Sequence, residues 1–264
     1  MTVDPEILGH YGRGAELGRL ESGASAIEFA RTKELLERYL PPPPARVLDV
    51  GGGPGVYALW LAELGYDVHL IDPLPLHVKH ATELAAGRFE ATVGDARRLE
   101  AEAASADAVL LLGPLYHLTE RSDRIQALSE ACRVLRPGGL IAAAAISRFA
   151  SMFDGLFRRY VTDPDFRLVT ERDLVDGQHR SPAGRDAYFT TAYFHHPSEL
   201  EGELWDAAVE CEGVYGIEGP AWLEPGLWEE DELREASLWA ARTVESEPTL
   251  LGLSAHLLAV GRRP

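Results

Sequence analysis

The segment Val47-Leu48-Asp49-Val50-Gly51-Gly52-Gly53-Pro54-Gly55 decides the fold of this chain. Its apolar start predicts a short β-strand, and residues 54–64 have the composition of a helix that Gly65 closes. The glycines let the backbone turn sharply between the two elements and let a ligand approach it closely. The N-terminus of the helix offers free N–H groups to such a ligand.

An acidic residue follows at the end of the next predicted strand, residues 67–71. Asp72 lies 21 residues after Gly51, where a carboxylate can accept hydrogen bonds from both hydroxyls of a ribose. The turn and the acid together predict an adenosine-containing cofactor. The glycine spacing is GxGxG, whereas the dinucleotide fingerprint GxGxxG/A requires a small residue where this chain has Val56. A nicotinamide-dependent oxidoreductase is therefore the alternative that this spacing disfavours.

Strands and helices alternate along most of the chain. The predicted strands cover residues 47–50, 67–71, 89–93, 108–112, 140–146, 214–217 and 255–260. The predicted helices cover residues 27–40, 54–64, 75–86, 119–135, 197–212 and 229–244. Short apolar strands that alternate with helices predict an α/β protein with a parallel, doubly wound sheet.

Two segments stand outside this alternation within a single predicted domain, residues 1–264. Residues 1–40 are expected to form an N-terminal helical cap, which ends at the four prolines of residues 41–44. Residues 148–196 combine many phenylalanines and tyrosines with charged residues. This composition predicts an inserted lid that forms the substrate region.

Composition excludes several classes of function. With 25 basic and 42 acidic side chains, the formal net charge is −17, which disfavours binding to nucleic acid or to an anionic membrane. No stretch approaches the roughly 20 apolar residues of a membrane span, and the N-terminus lacks a signal-peptide pattern, which predicts a cytoplasmic protein. Cys132 and Cys211 are interpreted as reduced packing residues, and no metal-ligand spacing is present. The oligomeric state is left open.

From residue 27 to residue 148 the chain resembles the class I S-adenosylmethionine-dependent methyltransferases. The matching segments, in order, are VLDVGGGPG, the acid in HLIDP, GDAR at 94–97, LLLGPLYHL at 110–118 and VLRPGGLI at 134–141. The resemblance implies a Rossmann-like seven-stranded sheet whose last strand is antiparallel. It also implies methyl transfer from S-adenosyl-L-methionine to O, N or C of a small-molecule acceptor by in-line displacement, with S-adenosyl-L-homocysteine as product. A noncatalytic cofactor-binding protein of the same fold is a second alternative.

The resemblance further implies which residues surround the cofactor. The expected contacts are Tyr11, Arg31, Gly51, Gly53, Gly55, Asp72, Pro73, Leu74, Asp95, Ala96, Leu112 and Gly113. Asp72 is expected on the ribose and Asp95 on the adenine amino group, while Asp49 orients the loop or the amino group of the cofactor. Arg31 is either a partner of the cofactor carboxylate, which a guanidinium can bind with two hydrogen bonds, or a solvated helix residue. Tyr11 is expected to close over the cofactor.

His117 is the candidate general base for an acceptor that must lose a proton. It lies in the turn after the fourth predicted strand, at the edge where open α/β sheets bind ligands, although it could instead shape that loop. The expected substrate contacts are Tyr116, His179, Tyr193 and His195. Most aromatic residues of the insertion are equally suited to form the lid's own core.

Overall fold

The computed structural model describes residues 5–11, 23–182 and 188–264. Within them the strands are β1 (Arg46–Val50), β2 (Asp67–Asp72), β3 (Glu90–Val93), β4 (Ala106–Leu111), β5 (Leu135–Ser147), β6 (Gln178–His179), β7 (Ala192–His195), β8 (Glu210–Gly216) and β9 (His256–Arg262). The α-helices are α1 (Pro5–Tyr11), α2 (Gly23–Tyr39), α3 (Val56–Glu63), α4 (Pro75–Ala85), α5 (Pro114–His117), α6 (Arg121–Val134), α7 (Ala150–Phe157), α8 (Pro164–Asp176), α9 (Pro197–Asp206) and α10 (Asp231–Val244).

Seven strands form the principal sheet, in the order β3-β2-β1-β4-β5-β9-β8. The pairs β2–β3, β1–β2, β1–β4 and β4–β5 are parallel, whereas β9 is antiparallel to both β5 and β8. Helices connect the parallel strands and cover both faces of the sheet. The predicted fold class, a doubly wound Rossmann-like sheet with its last strand antiparallel, is confirmed.

The inserted segment adds β6 and β7 to this sheet. Ile146 and Ser147, at the end of β5, pair in parallel with Phe194 and His195 of β7. Because β9 pairs with the opposite edge of β5 as far as Ile146, β7 lies on the β4 side, beyond the carboxyl end of β4. The insertion thus stands beside the turn that follows β4.

The core lies on both faces of the sheet. Successive side chains of β4 alternate between two apolar clusters: Val109 and Leu111 enter one, and Ala108 and Leu110 enter the other. The first cluster packs against α6 and α9, and the second against α2, α3 and α4. Burial on both faces explains why residues 140–146 of β5 are apolar throughout.

Several predicted boundaries were wrong, including those of two helices. The helix predicted over 197–212 ends at Asp206, because Ala208 adopts a left-handed backbone conformation (φ 57°) and residues 210–216 form β8. The helix predicted from Thr119 begins at Arg121, with Glu120 as its N-cap. In the part of the chain that the structure describes, no helix is both long and apolar enough to cross a membrane.

Candidate active site

A cavity of about 460 Å³ opens at the carboxyl ends of β1, β2, β3 and β4. Its walls include the loops after these strands, together with Ile7 and Tyr11 of α1. The predicted site residues that line it are Tyr11, Gly51, Gly53, Asp72, Pro73, Leu74, Asp95, Ala96, Gly113, Tyr116 and His117. The sheet topology therefore brings most of the predicted cofactor contacts, and the candidate base, to one place.

Asp72, the last residue of β2, holds the glycine turn. Its Oδ2 accepts a hydrogen bond from the N–H of Gly53, and its Oδ1 accepts one from the N–H of Leu74, both at 2.9 Å. Nδ1 of His77 lies 3.1 Å from the same Oδ1. The carboxylate is thus fixed by three donors at the floor of the cavity.

The glycines of the turn serve different purposes. Gly51 and Gly53 have positive φ angles of 72° and 57°, which disfavour other residues. A Cβ on Gly51 would lie 2.7 Å from Pro114 Cδ, whereas a Cβ on Gly53 would meet nothing within 4 Å. A Cβ on Gly55, which is the N-cap of α3, would instead press on Phe89 and Ala81. Gly53 therefore leaves open space in the cavity, and Gly55 permits close helix packing behind it.

Asp49 is fully buried in β1 beside this turn, and neither carboxylate oxygen has a hydrogen-bond partner among the described residues. Burial, together with the negative charge of Asp72, raises the pKa of Asp49 to about 7. The backbone amide of Ala58 lowers this pKa slightly, but it does not form a hydrogen bond of normal geometry with the carboxylate. A buried acid without a partner is a place where a positively charged ligand group would be stabilised.

Asp95 is paired at the other end of the cavity. Arg97 donates to Oδ1 through Nε at 2.9 Å and to Oδ2 through Nη2 at 2.7 Å, and its Nη1 reaches Asp123 at 2.6 Å. Burial alone would raise the pKa of the Asp95 carboxyl, but Arg97 outweighs this and holds that pKa below its usual value. Asp95 is consequently an ionised, rigidly oriented acceptor.

His117 meets Tyr11 across the cavity. Nε2 of His117 lies 2.6 Å from the Tyr11 hydroxyl, and Nδ1 lies 3.4 Å from the carbonyl oxygen of Thr191. The imidazole contacts the ring of Tyr116 at 4.7 Å and stacks against that of Phe189 at 6.1 Å, measured between centroids. The candidate base is thus enclosed by aromatic rings from α1, α5 and the insertion.

Known proteins resemble this region in both sequence and fold. A family model described as a methyltransferase domain matches residues 47–139. The ubiquinone biosynthesis O-methyltransferase of Xanthomonas axonopodis pv. citri is 35% identical over 193 residues, which cover 72% of each chain. That of Methylocella silvestris is 35% identical over 58% of this chain and 67% of its own length. The chain belongs to the class I S-adenosylmethionine-dependent methyltransferases.

Solved structures agree on the fold of this methyltransferase. An S-adenosylmethionine-dependent methyltransferase from Mesorhizobium loti superposes with a TM-score of 0.62 at 18% identity, covering 90% of this chain and 100% of that one. One from Methanosarcina mazei gives 0.61 at 18% identity, covering 87% and 96%. Uncharacterized mycobacterial methyltransferases match at 33% identity over about half of their length, 48%. These findings identify S-adenosyl-L-methionine as the cofactor, and nothing in them supports the nicotinamide alternative.

The residues of the cavity fit this cofactor. Its ammonium and sulfonium groups are cationic. Asp72 lines the cavity, and the buried carboxylate of Asp49 lies next to Gly52 in the adjoining turn. Asp72 and Asp95 supply acceptors at separate positions along the cavity. Carboxylate acceptors in this arrangement suit a ligand with a positively charged end and a nucleoside end.

Three predicted cofactor contacts lie outside the cavity lining. Arg31 is fully buried and donates to the carboxylates of Glu34 and Glu245 and to the carbonyl of Ile217, so its guanidinium joins α2 to α10. Gly55 packs α3 against α4, as described above. Leu112 packs against the apolar cluster below the turn.

The predicted substrate contacts of residues 148–196 make structural contacts, either within this segment or with α6 and α9. His179 is buried, with Nδ1 2.9 Å from Asp173 Oδ2 and Nε2 2.6 Å from the carbonyl of Tyr188. The Tyr193 ring lies 3.7 Å beneath the guanidinium of Arg124, and His195 is buried 3.3 Å from Glu203. None of these three is among the residues that line the cavity within the described chain.

Sequence reasoning missed several residues of the cavity wall. Arg97 lies within the GDAR segment, but its role as the partner of Asp95 was not foreseen. His77, five residues after Asp72, is 5% exposed and its Nε2 has no hydrogen-bond partner among the described residues. Ile7, on α1, packs against Leu74 and Tyr11. The short spacing from Asp72 was the available signal that His77 belongs to the cavity wall. No local sequence pattern indicates that Ile7 belongs to it.

Proposed function

We propose that this enzyme methylates an oxygen atom of a small, partly apolar acceptor, with His117 as the general base. The observation that carries the proposal is the position of His117, whose Nε2 faces the cavity wall 2.6 Å from the Tyr11 hydroxyl. It stands at the carboxyl end of β4, next to the glycine turn. A methyl group bound over Gly53 and an acceptor beside His117 would share one cavity.

The cofactor contacts are proposed from the same cavity. Asp72, whose carboxylate already accepts three hydrogen bonds, would accept one more from a ribose hydroxyl. Asp49, next to Gly52, would stabilise the ammonium group. Asp95 would accept the adenine amino group, since a carboxylate has about four acceptor positions and Arg97 uses three of them. The Ala96 N–H and the Leu74 side chain would flank the adenine.

For methyl transfer, the main task of the protein is to align the acceptor atom with the methyl group. When bound, S-adenosyl-L-methionine supplies a methyl group already activated by its sulfonium. The cavity would hold the acceptor oxygen in line with that group, which is a proximity effect. His117 would accept the proton of the acceptor, a contribution typically of about 10²–10⁴-fold in rate.

An oxygen acceptor with apolar character is supported by two observations. Next to His117, the rings of Tyr11 and Tyr116 make the cavity wall largely aromatic. Several relatives have names that specify oxygen, among them the ubiquinone biosynthesis O-methyltransferases and a malonyl-[acyl-carrier protein] O-methyltransferase of Methylococcus capsulatus, 37% identical over 46% of this chain. Nitrogen and carbon acceptors are the competing possibilities.

A screen of small acceptors tests this proposal. Purified enzyme and S-adenosyl-L-methionine are incubated with phenols, carboxylates, amines and indoles, and S-adenosyl-L-homocysteine release is measured. We expect turnover of phenols or other hydroxyl compounds, and a loss of at least about 10²-fold in kcat for His117→Ala. The variant His69→Asn is the matched control: His69 is a half-buried histidine of β2 outside the cavity lining, and this variant should retain wild-type turnover. Turnover of amines alone, or full activity of His117→Ala, would overturn the proposal.

A further inference from the structure

We infer that Tyr11 is a second catalytic residue, whose hydroxyl passes the acceptor's proton to His117. The inference rests on the proposed function and extends it. Tyr11 is the last residue of α1, is 8% exposed, and forms the 2.6 Å contact with Nε2 of His117 although 106 residues separate the two. The Tyr11 hydroxyl lies between the cavity and the candidate base, so Tyr11 is a candidate for proton transfer as well as for closing over the cofactor.

The helix α1 holds this phenol in a fixed orientation. The Tyr11 ring is edge-on to His117 at 5.2 Å and to His77 at 5.6 Å between centroids. Ile7, one helical turn earlier, packs with Leu74, and Glu6 is hydrogen-bonded to Thr191. Contacts with both the cofactor side and the insertion therefore position the hydroxyl.

Two of the contacts of His117 favour one tautomer. A backbone carbonyl only accepts hydrogen bonds, so the contact with Thr191 favours a ring proton on Nδ1. Nε2 then presents its lone pair to Tyr11, and the phenol is the donor. Because this lone pair is directed at Tyr11, an acceptor hydroxyl in the cavity would meet the oxygen of Tyr11 before it meets Nε2.

The resulting proton transfer is balanced. The acceptor oxygen forms a bond to the methyl carbon, the carbon–sulfur bond breaks, and the electron pair of that bond goes to sulfur. The acceptor's proton moves to the Tyr11 oxygen, while the original Tyr11 proton moves to Nε2 of His117. Tyr11 ends unchanged, and His117 ends as an imidazolium whose Nδ1–H faces Thr191.

Tyr11→Phe tests the relay, because it keeps both ring contacts and removes only the hydroxyl. We expect kcat to fall about tenfold or more, while KM and the calorimetric affinity for S-adenosyl-L-homocysteine stay within about twofold. Tyr39→Phe is the matched control, since it removes a hydroxyl bonded to Tyr215 at a distance from the cavity, and it should leave kcat unchanged. The double variant Tyr11→Phe/His117→Ala should be no slower than His117→Ala, because the two residues act as one unit.

A spectroscopic readout tests the geometry without turnover. In protein labelled with ¹⁵N-histidine, the ring signals of His117, assigned by their loss in His117→Asn, should report the Nδ1–H tautomer. In Tyr11→Phe the fraction of the Nε2–H tautomer should rise. A wild-type proton on Nε2, or a Tyr11→Phe variant as fast as or faster than wild type, would overturn the relay. If His117→Ala is slow and Tyr11→Phe is normal, only the relay fails; if His117→Ala is normal, the proposed base fails as well.

Discussion

The carboxylate of Asp72 accepts a 2.9 Å hydrogen bond from the backbone N–H of Gly53. The end of β2 thereby fixes the loop that follows β1, 19 residues earlier in the chain. The acid proposed to bind the ribose is thus also a support of the glycine turn. A change at Asp72 is therefore expected to act on both parts of the proposed cofactor site at once.

Asp72→Asn should weaken S-adenosyl-L-homocysteine binding by tenfold or more, on the order of 1.4 kcal/mol. The amide would present an NH₂ group to backbone donors that now bind carboxylate oxygens, and it would remove the negative charge. Isothermal titration calorimetry measures this change. Asp67→Asn, at the exposed start of the same strand, is the control and should bind as wild type does. Unchanged affinity in Asp72→Asn would contradict the ribose assignment.

Gly53→Ala and Gly52→Ala should fail in different ways. A Cβ on Gly53 has open space, so we expect a folded protein that loses about 1–2 kcal/mol to the left-handed backbone and no longer binds S-adenosyl-L-homocysteine. A Cβ on Gly52 would lie 2.5 Å from Asp49 Oδ2 and 2.8 Å from Leu70 Cδ1, so that variant should lose stability first. Thermal melts and calorimetry separate the outcomes. Normal binding by Gly53→Ala would mean that the cofactor does not occupy the space at Gly53.

Asp49→Asn should stabilise the ligand-free enzyme in a pH-dependent manner. Since the pKa of Asp49 is raised to about 7, the wild type loses stability as pH rises from the unfolded pKa of 3.8 towards 7, and the loss is constant above that. The advantage of Asp49→Asn over wild type should therefore be larger at pH 8 than at pH 5, by roughly 2–3 kcal/mol. Urea denaturation at both pH values measures it. An equal difference at the two pH values would show that Asp49 titrates normally.

Arg124→Met should destabilise the fold by about 3–5 kcal/mol, because it leaves Glu203 charged and buried. The two side chains are each 1% exposed and lie 2.7 Å apart. Burial alone would raise the pKa of Glu203, but His195 and Arg124 outweigh it and lower that pKa, so the pair stabilises at neutral pH and this contribution is lost in acid. The penalty of Arg124→Met should accordingly shrink in acid, and Arg124→Met/Glu203→Met should recover much of the stability.

Features that depend on local sequence were predictable. The glycine turn, Asp72 and the GDAR segment each lie within a few residues of a strand end, and parallel strands place their carboxyl ends at one edge of the sheet. The alternation of apolar strands and amphipathic helices similarly predicted the fold class. These patterns report backbone geometry directly, which is why they indicated where the cavity lies.

Features that depend on distant partners were not predictable. Arg31 is bound by Glu245, 214 residues away, and the direction of a helix side chain cannot be derived without knowing what packs on each face. His195 was expected in the substrate region, yet Glu203 and Arg124 retain it in a buried network. The Tyr11–His117 contact likewise joins segments whose proximity exists only in the folded chain.

The attachment of β7 to β5 differs in extent from that of β9. Two register pairs, at Ile146 and Ser147, join β7 to β5, whereas β9 shares seven, from Leu140 to Ile146. Amide hydrogens of Ala192–His195 should therefore exchange with solvent faster than those of His256–Arg262. β7 directly follows Thr191, whose carbonyl oxygen contacts the candidate base His117, and it is a peripheral addition to the seven-stranded sheet. Under the proposed function, sequence divergence in this strand is expected to change which acceptors are methylated, while the proposed methyl-donor site is retained.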